Sequence, residues 1–311
     1  MAGRFRPLPE AGATVALVAP AFALPDGMAD MARERLEALG FTVVPGMHLS
    51  DRHGAWAGTV SDRAADLSWA LTDAAIDLVW AARGGEGTSA VAACLPWAEI
   101  ERRPRPVVGM SDLTFLHAAL GRRGIASVHG AMPGVGREDW DAFTASAALK
   151  ALFAPGWRPL PMPAAWPAPR AIRTGAAEGP LVGGNLAVLA AACGTPFMPD
   201  TRGAILLLED VGEAAYRIDR SLTQLAQAGV LDGLAGVALG TWTGCTATAD
   251  ATVDRVLEDH LDRLGVPVLA GLQLGHGVTQ SVVVLGAAAR LDAAAAALSL
   301  GPAPWVAEGG R

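Results

Sequence analysis

The first half of the chain repeats one pattern: a short apolar run, then a stretch in which apolar residues recur every three or four positions. Residues 14–20 (TVALVAP) read as a buried strand. Residues 28–40 (MADMARERLEALG) place Met28, Met31, Leu36 and Leu39 on one face and stop at Gly40. A second strand, FTVVPG (41–46), is followed by SDRAADLSWALTD (61–73), which opens on a Ser/Asp cap and sets Leu67 four residues before Leu71. The strand in IDLVWAARGGEG (76–87) runs into glycines. RPVVGMSD (105–112) is a further strand, followed by the helix LTFLHAALGRRG (113–124) and the strand IASVHG (125–130). Strands alternating with helices predict a parallel sheet covered by helices on both faces.

The pattern breaks at residues 154–184, which hold seven prolines. Proline lacks an amide donor and disfavours both a helix interior and a central strand. The sequence therefore predicts an N-terminal α/β domain over 1–153, a Pro-rich linker over 154–180 and a C-terminal β-rich domain over 181–311. In the last, GAILLLEDVG (203–212) and LAGVALGTWTGC (234–245) read as buried strands. Between them, Ile218, Leu222 and Leu225 have helical spacing, and Val253, Leu257, Leu261 and Leu264 mark a second helix. The strand-rich segments 266–277 and 281–301 complete it.

At 311 residues and 51% hydrophobic, the chain is long and apolar enough for a sizeable core. It contains no uninterrupted apolar stretch of membrane-spanning length, and its N-terminal residues read as a tail entering the first strand, which points to the cytoplasm. A net charge of −7 without a basic block argues against nucleic acid as a partner. Cys94, Cys193 and Cys245 are scattered and odd in number, and are expected to be buried reduced thiols. Lys150 is the only lysine, which removes a Walker A loop and leaves no good Schiff-base or Ser–Lys candidate. No metal-ligand spacing appears, so neither a metal nor another cofactor is expected.

Ser111 stands in GMSDL, at the corner between a strand and a helix. Such a corner lifts a hydroxyl toward solvent and points the Asp112 amide the same way, although a helix cap has the same local pattern. A serine nucleophile needs a base. His129, which ends a strand, and His276, set between two glycines, are the candidates. The base needs an orienting carboxylate, and Glu209 follows four apolar residues in ILLLE, where an acid is costly unless paired. Gly84 and Gly85 let backbone amides approach an oxyanion or a phosphate.

Taken in order, AARGGEG, VVGMSDLTFLHAAL, VHGAM, LVGGNLAVLAAACGTPF, LLLEDVGEAAYRIDRSLTQLAQAGVL and GLQLGHGVTQSVVVLGAAARLD resemble the LD-carboxypeptidases, the S66 serine peptidases. That family includes muramoyltetrapeptide carboxypeptidases and microcin C immunity peptidases. The resemblance implies a flavodoxin- or amidotransferase-like first domain and a smaller β-rich second one. It also implies Ser111 as nucleophile, Glu209 as acid and His276 as base. The oxyanion hole would be the Asp112 amide with Gly84 or Gly85. The implied reaction is release of a terminal D-residue from a muropeptide tetrapeptide in peptidoglycan recycling, by a protein expected to be a homodimer. The chain departs from the family pattern at Glu86, where an aromatic residue is common, and at Thr88–Ser89, where an arginine is common; it also lacks the Pro–Asn that often follows His–Gly. Glu86 is thus a candidate substrate-binding residue for an ammonium group. The alternatives are cleavage of an aminoacyl-nucleotide-like toxin, with Trp56, Trp80 or Trp97 stacking a base, and a non-catalytic peptide- or nucleotide-binding protein.

Overall fold

The computed structural model describes residues 5, 7–9, 11–136, 140–247 and 251–305. The first half folds as β1 (Thr14–Val18), α1 (Met28–Glu37), β2 (Thr42–Pro45), α2 (Val60–Thr72), β3 (Leu78–Ala81), α3 (Thr88–Ala92), α4 (Trp97–Arg102), β4 (Val107–Gly109), a 3-10 turn (Ser111–Leu113), α5 (Thr114–Arg122), β5 (Ser127–His129) and α6 (Ala142–Phe153). The remainder forms β6 (Arg158–Pro159), β7 (Arg170–Arg173), β8 (Ala176–Asn185), α7 (Leu186–Ala191), β9 (Ile205–Val211), α8 (Ala215–Gln227), β10 (Gly236–Thr243), α9 (Val253–Leu261), β11 (Val268–Ala270), β12 (Val283–Leu285), β13 (Ala288–Asp292) and β14 (Ala297–Leu300).

The first sheet has the order β12-β5-β4-β3-β1-β2, with β1 to β5 parallel and β12 antiparallel at the edge. This is the α/β architecture that the alternation predicts. β3 is buried along its whole length, as a central parallel strand must be. α2 starts close to where the sequence places a cap, but the cap is Thr59, two residues before Ser61: its hydroxyl accepts from the Asp62 amide in a capping box. Leu67 and Leu71 then face the core.

The second sheet has the order β6-β14-β13-β8-β9-β10-β11-β7. β8 to β11 are parallel, while the flanking strands β13, β14, β6 and β7 are antiparallel. The stretch 154–180 is not a bare connector. It supplies both edges of this sheet, β6 and β7, and the first half of its central strand β8. The prolines are accommodated by position: Pro159 lies on an edge, and Pro180 lies where β8 exchanges its antiparallel partner β13 for its parallel partner β9.

Period-two alternation sorts β9. Leu206 and Leu208 pack under Leu222 and Leu225 of α8 and Leu257 and Leu261 of α9, while Ile205 and Leu207 face Val283 and Leu285 of β12 on the other side. Segment 281–301 does not stay within the second half, because β12 crosses back to pair with β5, matching Val283 to His129. Trp305 also returns to the first core, where its ring meets Phe5 edge-on at 5.3 Å and its indole N–H donates to the Leu152 carbonyl. The two sheets are therefore sewn together, and the seam runs past the C-terminal ends of β4 and β5.

Candidate active site

β4 ends at Gly109, Met110 is extended, and Ser111 turns the chain at φ 62°, a left-handed conformation that side-chain-bearing residues adopt at a cost. The turn is tight: a Cβ on Gly109 would sit 2.8 Å from Leu113 Cγ. A nucleophile corner has this geometry, while a serine serving as an ordinary cap would be extended. Gly84 passes directly alongside, where an added Cβ would stand 3.0 Å from Ser111 Cβ. Gly85 has φ 123°, and a side chain there would collide with Phe22. The glycine pair is thus needed for close backbone approach beside the hydroxyl.

Asp112 contributes more than its amide. Its buried carboxylate accepts the Thr88 amide at 2.8 Å and the Thr88 hydroxyl, tying the Ser111 turn to the start of α3 and fixing the Gly84–Gly87 segment between them. Burial pushes the Asp112 carboxyl upward, opposed by these Thr88 hydrogen bonds.

Because 205, 207 and 209 share a face of β9, Glu209 projects toward the first sheet, fully buried. Its Oε2 accepts His276 Nδ1 at 2.8 Å and the His276 amide at 3.2 Å. An ionised carboxylate only accepts, so Nδ1 carries the proton and Nε2 is left as the basic nitrogen. Gly275, at φ 104°, cannot bear a side chain without striking the Glu209 carboxylate, and the Thr241 and Thr243 hydroxyls hold the His276 carbonyl. Burial alone would raise the Glu209 pKa, but the nearby His129 imidazole, 3.8 Å away, and the hydrogen-bonded His276 outweigh it and hold the group at about 2.

Both histidines considered as bases meet this one carboxylate. His129 lies on the Oε1 side, with Nε2 at 3.8 Å. Exposure separates their roles: the His276 side chain is 21% accessible, whereas His129 is 0% accessible. Two short routes link Ser111 to the pair. In register, Gly109 is the partner of His129. The Thr114 hydroxyl, three residues beyond Ser111, accepts the Asn185 amide, and Asn185 is the register partner of Glu209.

Asp210, on the opposite face of β9, is structural. It accepts Asn185 Nδ2 at 2.8 Å and the Ala187 amide at 3.0 Å, securing the start of α7. Glu86 is exposed beside Gly85, and its Oε2 accepts the Trp56 indole N–H at 2.9 Å. Trp80 is fully buried and Trp97 is covered by the Arg123 guanidinium at 3.8 Å, so of the three candidate stacking rings only Trp56 borders the glycine segment.

His260 on α9 is buried, with Nε2 2.7 Å from Asp219. The cysteines are unpaired as expected, yet Cys94 is exposed and the other two are half-buried. Among the described residues no cluster of three His, Cys, Asp or Glu could hold a metal, and no helix is long and apolar enough to cross a membrane.

The sequence matches the LD-carboxypeptidase N-terminal domain over residues 15–130 and the LD-carboxypeptidase C-terminal domain over 178–291. The chain belongs to the LD-carboxypeptidase (S66) family. It is a serine carboxypeptidase, a hydrolase. A putative carboxypeptidase of Streptomyces coelicolor is 40% identical, covering 93% of each chain, and a probable murein peptide carboxypeptidase of Bacillus subtilis is 36% identical, covering 91% of this chain and 90% of the relative. Among solved structures, the muramoyltetrapeptide carboxypeptidase of Oxalobacter formigenes superposes with a TM-score of 0.82 at 30% identity, covering 92% of this chain and 99% of that one. MccF bound to glutamyl sulfamoyl guanosine superposes with a TM-score of 0.87 at 21% identity, covering 97% and 99%, a likeness of fold.

In this LD-carboxypeptidase fold, strain at residue 111 is separable from chemistry. Ser111→Gly is expected to abolish hydrolysis while raising stability by about 0.5–1 kcal/mol, because glycine adopts the left-handed turn freely; denaturant unfolding beside an activity assay checks both.

A second prediction concerns His117, which is fully buried on α5 with Nε2 2.9 Å from the Gly109 carbonyl. Burial lowers its pKa from 6.5 to about 3. The unfolded chain then takes up a proton that the folded state refuses, so the contribution is intact above pH 6.5 and is lost as pH falls toward 3. His117→Gln keeps a donor for Gly109 but cannot titrate. Between neutral pH and about pH 4.5 the wild type should lose about 2–3 kcal/mol more unfolding free energy than the variant.

Proposed function

We propose that this carboxypeptidase hydrolyses the terminal L,D-peptide bond of muropeptide tetrapeptides, releasing D-alanine in the recycling of peptidoglycan in the cytoplasm. The observation that carries the reading is the 2.8 Å pairing of buried Glu209 with His276 Nδ1, alongside a serine held in a left-handed strand-to-helix turn. His276 Nε2 takes the Ser111 proton as Oγ attacks the scissile carbonyl. Glu209 keeps the imidazole in the Nδ1–H tautomer and stabilises the imidazolium that forms. Backbone amides at Asp112 and in the Gly84–Gly85 pair receive the oxyanion. His276 then returns its proton to the leaving amine, and water, activated by the same nitrogen, releases the acyl group from Ser111.

Glu86 suits a substrate that carries an ammonium group close to the scissile bond, such as the side-chain amine of diaminopimelate. Its carboxylate is steadied by Trp56 and lies one residue from Gly85. Identity of 36% to a murein peptide carboxypeptidase supports this substrate class over an aminoacyl nucleotide, whose support is likeness of fold at 21% identity.

Incubation with an L-Ala–D-Glu–diaminopimelate–D-Ala tetrapeptide is expected to release D-alanine. A pentapeptide ending in D-Ala–D-Ala and an aminoacyl sulfamoyl nucleotide are expected to remain intact. Ser111→Ala should lower the rate at least about 10³-fold. Cleavage of the sulfamoyl nucleotide alone would transfer the assignment to the other substrate class. Glu86→Gln should raise KM for the tetrapeptide about two- to fivefold, the scale of one exposed ion pair, and leave kcat unchanged; steady-state kinetics with the diaminopimelate amine free and acetylated checks that the loss belongs to the ammonium group.

A further inference from the structure

The triad leaves one half of its acid without a hydrogen bond. Glu209 Oε1 is buried and has no hydrogen-bond partner, and the same is true of both ring nitrogens of His129. The two residues face each other, with His129 Nε2 3.8 Å from Oε1 and both side chains at 0% accessibility. An ionised carboxylate oxygen in such surroundings is costly unless a donor is directed at it. The backbone explains why the donor is there. His129 lies on β5 with Gly109 of β4 on one side and Val283 of β12 on the other, so its ring is aimed from the first sheet at the second. Gly184, at φ 137°, has no side chain, and a Cβ there would approach to 3.3 Å of His129 Cδ2 and collide with the Thr114 hydroxyl. The seam is thus kept open for the imidazole to reach Glu209.

We infer that His129 is a positioning residue for the reaction: its Nε2–H holds Glu209 Oε1, so that Oε2 stays committed to His276 Nδ1 and the strand carrying the nucleophile is locked to the acid. The inference rests on the reading of Ser111, His276 and Glu209 as nucleophile, base and acid. His129 does not exchange protons with substrate, since it has no access to it. It completes the pairing of a carboxylate whose other oxygen is already used, so that Glu209 neither rotates nor takes up a proton when positive charge develops on His276. The other titratable groups facing this pair are His276 from the 275–277 loop and His117 from α5, whose ring centroid is 6.3 Å from that of His129; Asp210, the next residue on β9, lies on the strand's opposite face.

His129→Leu removes the donor and keeps an apolar filling; His129→Gln keeps an N–H near the same place. The leucine variant is expected to lose about 10–100-fold in kcat, the range seen when outer partners of metal-bound histidines are removed, with KM within about twofold. The acid limb of its kcat/KM profile should move to higher pH, because a less satisfied Glu209 binds a proton more readily. The glutamine variant should restore kcat to within a few-fold and return the limb to its original place. Two nuclear magnetic resonance readouts need no substrate. In the wild type, nitrogen-15 spectra should show His129 protonated at Nε2. The low-field proton of the His276–Glu209 hydrogen bond should weaken or move in the leucine variant and persist in the glutamine one. A wild-type His129 with a bare Nε2 overturns the inference even if the leucine variant does not fold. So does a leucine variant whose low-field proton and pH profile match those of the wild type, whatever its kcat. If the low-field proton behaves as expected while the wild type releases no D-alanine, the substrate assignment falls and the role of His129 stands.

Discussion

A buried negative charge at the end of β9 is the constraint around which this molecule is arranged. Glu209 is ionised with no solvent to support it, its pKa held at about 2 against the upward push of burial. That state is stable only with partners on both sides, and they come from different parts of the fold: His276, bonded to Oε2 from the loop after β11, and His129 of β5 in the first sheet, with Nε2 3.8 Å from Oε1. The charge therefore does structural service. Its contribution to stability is fully present above the ordinary carboxylate pKa of 4.5 and is lost as pH falls toward 2.

The same logic accounts for the small residues around it. Gly240, Gly275 and Gly184 each stand where a Cβ would crowd the carboxylate or the groups that reach it. Gly84 and Gly109 do the equivalent at Ser111, clearing the space beside it and allowing its turn, and Gly85 makes room for Phe22. Rigid supports are used at both places: Asp112 pins the glycine segment to α3 through Thr88, and Asp210 pins α7 through Asn185 and Ala187. Pairing of acidic residues with backbone amides recurs because a site at the ends of strands has many such amides without strand partners.

The rim beside Gly85 is less constrained. Glu86 and Trp56 pair at the surface, next to the Gly84–Gly85 backbone. Of the positions at which the chain departs from the family pattern, Glu86 is exposed, whereas Thr88 is buried against the Asp112 carboxylate.

Periodicity in the sequence was enough to determine the alternating first sheet, the helices carrying Leu67–Leu71 and Ile218–Leu225, and a strand-to-helix corner at Ser111, because these follow from local burial and local turn chemistry. Ordered motifs were enough to select Ser111, Glu209 and His276 as the residues to watch. Other features were decided only in three dimensions. Proline content hid the central strand β8, because whether a proline is tolerated depends on which neighbour its missing N–H would have faced. The return of β12 to β5 was invisible, since three apolar residues carry no information about which sheet they join. Local sequence likewise left His129 and His276 as competing bases, whereas the tertiary structure brings both to Glu209, one accessible and one sealed. A histidine's role is set by what lies across the seam from it, and that distance is a property of two sheets packed together, not of the residues beside it in the chain.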